Sequence, residues 1–168
     1  LVAGNRDRLD TSLMKAVPQY KALSTGALDM SLYPLAYAGG EFPEANLTLM
    51  PAVITSYEQG LRWKDAPIGK ELMRLLDERN VKIITWVWQA GGIASNSKPV
   101  VSPDDAKGLK IRGGDRTMEL ALKEAGASVV SLPSSEIYTG MSSGVLDAAM
   151  TSSTSLISYR LYEQSKYV

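Results

Sequence analysis

The 168-residue chain balances 18 basic against 18 acidic residues, is 45% hydrophobic, and contains neither cysteine nor histidine. That composition supports a packed core and excludes a disordered chain, a basic nucleic-acid surface and a bilayer-spanning run of roughly 18 apolar residues. It also excludes disulfides and thiol chemistry, and it removes the commonest metal ligand and general base, which weighs against an enzyme.

Residues 1–10 are polar and read as a loop, with neither the basic start nor the apolar core of a signal peptide. Residues 11–25 have helical character, but Pro18 suits the first turn of a second short helix better than an interior. Gly26 ends that helix. Leu28, Met30 and Leu32 then alternate with Asp29, Ser31 and Tyr33, the period-two pattern of a strand, which Pro34 closes. Residues 35–51, with Tyr37, Gly39, Gly40, Pro43 and Pro51, form a long connection at a strand's carboxyl end, where α/β sheets often line ligand clefts.

Residues 56–64 and 68–79 predict two helices, the second with Ile68, Leu72, Leu75 and Leu76 on one face. Residues 81–88 are apolar on both faces, Val81, Ile83 and Val87 against Ile84, Trp86 and Trp88, as expected of a central strand covered by helices. Residues 89–92 leave that sheet, and residues 94–99 are small and polar. The stretch near 90–100 reads as a crossing between two lobes, residues 1–92 in one and 93–168 in the other.

The second half alternates strands and helices. Residues 109–112 predict a strand, after which Gly113 and Gly114 allow a sharp turn that brings Arg112 close to whatever lies beyond the strand end. Asp115 reads as the N-cap of a helix with Met118, Ala121, Leu122 and Ala125 on its apolar face, and Gly126 as its left-handed terminator. A strand over 128–132, a helix opening at Pro133 and Ser134 with Ile137 and Met141 on one face, a strand over 147–151 and a helix over 154–162 complete the pattern. The order is β-α-β-α-β, with an arginine at the first strand's carboxyl end.

The run Asp104-Asp105-Ala106-Lys107-Gly108-Leu109-Lys110-Ile111-Arg112 resembles a signature of the DctP-like receptors of tripartite ATP-independent periplasmic (TRAP) transporters. Glu124-Ala125-Gly126-Ala127, Ser135-Glu136-Ile137-Tyr138 and Ser143-Gly144-Val145-Leu146-Asp147 follow in the family's order, and Ser24-Thr25-Gly26-Ala27-Leu28-Asp29-Met30 precedes them. The resemblance implies a periplasmic-binding-protein-like α/β fold of type II, two lobes with a ligand cleft, and a chain lacking the family's first β-α-β segment and its C-terminal helices. It implies a periplasmic receptor that captures a small organic acid and delivers it to membrane transporter subunits.

Arg112 is the first candidate site residue. A guanidinium presents paired donors in a rigid fork that matches a carboxylate and keeps its charge when desolvated. The resemblance implies that role, and a surface pair with Asp115 is the bland alternative. Thr151 ends its strand at the same edge and reads as a contact or as an ordinary strand-end threonine. The family's glycine after the Asp147 position is Ala148 here, which leaves any metal-assisted binding open. Trp88 offers a stacking face, Tyr33 and Tyr37 offer hydroxyls, and core or turn packing accounts for each equally. Glu136, Tyr138, Asp29 and Asp147 read as structural. No nucleophile elbow, P-loop or zinc spacing occurs, so no cofactor is expected and no metal-ligand set is identified. Rival readings are the effector domain of a transcription regulator, which lacks a DNA-binding helix-turn-helix here, and an enzyme on the same lobes acting on an acidic metabolite.

Overall fold

The computed structural model describes residues 14–168, so the loop expected at residues 1–10 and the start of the first expected helix lie outside the described residues. The chain divides into two compact units, one of Leu1–Thr48 and Ala52–Trp88, the other of Leu49–Pro51 and Gln89–Val168.

In the first unit, α1 (Gln19–Thr25) starts immediately after Pro18, whose missing N–H is harmless there, and stops at Gly26 in the left-handed region (φ 74°). Short 3-10 turns at Leu35–Ala38 and Pro43–Thr48 fill the long connection. Helix α2 (Tyr57–Arg62) is capped by Ser56, whose hydroxyl accepts from the Gln59 N–H, and α3 (Pro67–Asp77) opens on a proline. Tyr20, Phe42, Trp63, Leu72 and Leu76 form the buried core. The Arg79 guanidinium lies 4.6 Å from the Phe42 ring centroid, a cation–π contact that fixes the end of α3 on the core.

Two strands expected in this unit do not form. Residues 28–33 and 81–88 are not in a ladder, because no strand pairs with either among the described residues. Met30 and Leu32 are largely exposed. Over 81–88 the expected strict alternation also breaks. Val81, Ile83, Trp86 and Trp88 pack on the core, whereas Ile84 and Val87 face outward. The inward turn of Trp86 and Trp88 lets both indoles meet Trp63, at centroid distances of 6.4 and 5.8 Å.

The second unit is built on a four-stranded sheet. Strand β1 (Gly91–Ser95) comes from a stretch expected to be a polar crossing, and it pairs antiparallel with β4 along its whole length. Its sequence, two glycines followed by Ile93-Ala94-Ser95, carries too little apolar alternation to announce a strand; the ladder with β4 makes it one. A capping box at Ser102 and Asp105 leads through a 3-10 turn at Pro103–Ala106 into β2 (Lys110–Gly113). Helix α4 (Arg116–Glu124) follows, ended by Gly126 with φ 82°, then β3 (Ser128–Ser131), α5 (Ile137–Ser142), β4 (Ala148–Ser152) and α6 (Ser153–Ser158).

The spatial order is β1-β4-β2-β3, with β2 parallel to both β3 and β4. Asp147 aligns this arrangement. Its carboxylate accepts from the Lys110 N–H at 2.8 Å, while its own N–H donates to the Lys110 carbonyl at 2.8 Å, so the turn before β4 is pinned to the start of β2.

Successive residues of a strand face opposite sides, so each strand feeds two cores. Ile111 and Ala148 face Ala106 and Leu122 on one side. Ala149 faces Ile137, Met141, Leu146 and Leu161 on the other. Arg112 is in register with both Ala149 and Val130, which puts it on the second side. Thr151, two residues beyond Ala149, shares that side.

Candidate functional site

Strands β2, β3 and β4 run parallel, so their carboxyl ends form one edge of the second unit. Arg112 is only 3% exposed there. Its Nε donates to the Leu132 carbonyl just past β3 at 2.7 Å, and its Nη1 donates to the Met150 carbonyl on β4 at 2.8 Å. Burying a guanidinium is costly unless its donors are met, and these two carbonyls supply oriented negative dipoles. They also fix the plane of the fork across the ends of three strands.

Glycine at the β2–α4 turn follows from the same packing. A Cβ on Gly114 would lie 2.9 Å from Arg112 Nη1 and 3.0 Å from Nη2, and a Cβ on Gly113 would lie 2.6 Å from Glu119 Cγ. The backbone therefore passes directly beside the guanidinium. Gly113, a candidate ligand contact from the sequence through its place in the turn after Arg112, lies close against α4.

Asp115 caps α4. Its Oδ1 accepts from the Thr117 N–H at 2.6 Å and the Met118 N–H at 3.1 Å, as its position predicted. Thr151 is 6% exposed, and its Oγ1 is buried without a hydrogen-bond partner among the described residues; Asp115 Oδ2 is in the same condition. Buried polar atoms of native proteins are almost always paired, so two orphans at one sheet edge mark a place where a further group completes the structure.

Arg112, Gly113 and Thr151 thus share one edge. The other expected contacts lie in the first unit. Tyr33 and Tyr37 meet edge-on at 6.2 Å, and the Tyr33 hydroxyl reaches toward the Val17 carbonyl at 3.4 Å. Burial, reinforced by the negative charge of Glu41, pushes the Tyr33 phenol well above its ordinary value, so it stays a neutral donor. Trp88 stacks on Trp86 at 5.8 Å and packs on the core.

Two neighbours of Arg112 were read from the sequence in other terms. Gly114 was legible as a turn residue, and Asp115 as a cap or as a surface partner of Arg112; their adjacency to Arg112 was the available signal. The Leu132 and Met150 carbonyls have no side-chain signature at all. A groove of about 470 Å³ lies elsewhere in this unit, lined by Ile93, Val100, Leu122 and Met150. Its walls are mainly apolar, which does not suit a carboxylate.

The family model for bacterial extracellular solute-binding protein, family 7 (DctP), matches residues 10–168. The chain is 60% identical over 156 residues to a solute-binding protein of Albidiferax ferrireducens, covering 93% of this chain and 46% of that protein. Among solved structures, it is similar to a TRAP periplasmic solute-binding protein from Rhodoferax ferrireducens with bound malonate, at 60% identity and a TM-score of 0.90, covering 93% of this chain and 49% of that one. It is also similar to one from Chromohalobacter salexigens with bound D-glucuronate, at 27% identity and a TM-score of 0.85, covering 92% of this chain and 52% of that one. The chain spans about half the length of the curated relatives it matches.

Proposed function

Because the chain belongs to the DctP family, family 7 of the bacterial extracellular solute-binding proteins, we propose that it forms the carboxylate-gripping part of a TRAP-type receptor for a small organic acid. The fold is that of type II periplasmic binding proteins, shared with its TRAP structural relatives. Arg112 orients the carboxylate, Thr151 supplies a hydroxyl beside it, and the Gly113 turn lets the ligand approach the strand end. Tyr33, Tyr37 and Trp88 are proposed contacts on sequence position and aromatic chemistry alone. The receptor works in the periplasm and hands its ligand to the membrane subunits of a TRAP system, doing no chemistry on it. Among the described residues, no helix is long and apolar enough to cross a membrane.

One observation carries this reading: a guanidinium 3% exposed, held by two backbone carbonyls at the carboxyl edge of a parallel sheet. Such rigid placement suits recognition, because a fork that is already oriented loses little entropy when a carboxylate arrives.

The test is a thermal-shift screen of the full-length receptor against small organic acids, repeated with Arg112→Lys and Arg112→Ala. A ligand that binds only the folded state at about a hundred times its Kd stabilises by about 2.7 kcal/mol. A clear shift from one acid, reduced by the lysine variant and abolished by the alanine variant, is the expected result. Unchanged shifts in both variants remove Arg112 from the site.

A further inference from the structure

Asp115 has one carboxylate oxygen that capping does not use. Oδ1 takes the Thr117 N–H, the Met118 N–H and, at 2.5 Å, the Thr117 hydroxyl. Oδ2 is buried with no hydrogen-bond partner among the described residues, on a side chain whose residue is only 6% exposed. Leaving a charged acceptor in that condition is costlier than leaving a neutral one. The cap alone needs one oxygen, and Asn or Ser would supply it equally well.

Its neighbourhood points to what completes it. The Arg112 guanidinium lies against Gly114, the residue before Asp115, and bonds to the carbonyl of Met150, the residue before Thr151. The orphaned Asp115 Oδ2 and the orphaned Thr151 Oγ1 therefore belong to chain segments touching the same guanidinium. A carboxylate oxygen accepts only, so it repels a second carboxylate and attracts a donor. Thr151 both donates and accepts, and so discriminates little. Both atoms lie beneath the surface. Asp115 follows directly on the Gly113–Gly114 turn, whose backbone runs beside the Arg112 guanidinium.

We propose that Asp115 Oδ2 accepts a hydrogen bond from a hydroxyl carried next to the carboxylate that Arg112 grips, so that the receptor selects hydroxy acids over the corresponding plain acids. The assignment rests on the carboxylate reading above and narrows its ligand class. A site built around a polar partner rejects the analogue lacking it, since its own buried group is then left unpaired.

Calorimetric titration of the full-length receptor with matched pairs tests this: tartronate against malonate, malate against succinate, lactate against propionate. The members of each pair differ by one hydroxyl. In at least one pair the hydroxy acid is expected to bind about tenfold tighter or more, the range for a hydrogen bond to a charged group. Asp115→Asn keeps the cap on Oδ1 and replaces Oδ2 by a donor. It is expected to erase that preference, read as the ratio of the two dissociation constants within the pair, with the unliganded protein still folding cooperatively. Thr151→Val is expected to weaken both members of the pair alike.

Acids that bind through Arg112 with no preference within any pair, or a preference that survives Asp115→Asn, overturn the Asp115 assignment and leave the carboxylate reading standing. Aminomalonate binding more tightly than tartronate overturns the hydroxyl in favour of an ammonium group. Failure of every acid, including those outside the pairs, overturns both readings.

Discussion

Replacing Thr151 by valine should move stability and binding in opposite directions. The residue is 6% exposed, its Oγ1 is buried without a hydrogen-bond partner among the described residues, and it lies on the same side of β4 as Ala149. Valine keeps the branched shape that a strand favours and changes only the hydroxyl for a methyl. A buried hydroxyl left unpaired costs about 1–3 kcal/mol, so its removal should stabilise the unliganded protein by about 1 kcal/mol. For a receptor about twice the length of this chain that corresponds to a rise in Tm of about 1–2 °C. On the proposed function, the same substitution deletes a ligand contact worth about 0.5–1.5 kcal/mol, so affinity for the acid should fall about threefold to tenfold. Scanning calorimetry without ligand and titration with it read the two effects separately. A variant that melts lower than wild type by more than about 0.5 kcal/mol refutes the reasoning, because the hydroxyl would then be making a bond in the unliganded state.

Gly114→Ala places a methyl 2.9–3.1 Å from three guanidinium atoms of Arg112. It should displace the fork and weaken acid binding by about tenfold or more, since misplacing a positioned charge-assisted bond forfeits most of it; affinity equal to wild type contradicts the position given for Arg112. Asp105 closes the capping box before β2, and the Ser102 hydroxyl, followed by the Ser102 and Val101 N–H groups, holds its carboxyl below the ordinary value of 3.8. Its contribution is therefore complete above that value and lost as pH falls through the lower folded value. The Tm difference between wild type and Asp105→Ala should be present at neutral pH and shrink on acidification below about pH 4; a gap constant across that range removes the carboxylate from the cap.

The second unit was the more legible half of the chain. Asp115, Gly126, Ile137 and Met141 behave as their local chemistry predicts, because a cap, a left-handed terminator and a helical apolar face are each decided within a few residues. Strand β1 was not legible. Gly91 and Gly92 have no side chains to show alternation, and only pairing with Thr151 and Ser152 makes them a strand. The reverse happened at residues 81–88, where a run apolar on both faces announced a central strand but no ladder partner occurs among the described residues. A strand is a property of two segments, and one segment's sequence reports only half of it. For the proposed site, Arg112 was singled out by its chemistry and motif. The bonds that orient it were not, since backbone carbonyls have no residue identity.

The most direct test of the central claim is a crystal structure of the full-length receptor with the acid that most raises its melting temperature. The account predicts a ligand carboxylate within about 2.7–2.9 Å of the Arg112 guanidinium, the range of a charge-assisted bond. It also predicts that the Leu132 and Met150 carbonyls still hold that side chain from behind. A ligand bound with its carboxylate on another cation, and Arg112 left purely as a strap between β2, β3 and β4, would contradict it.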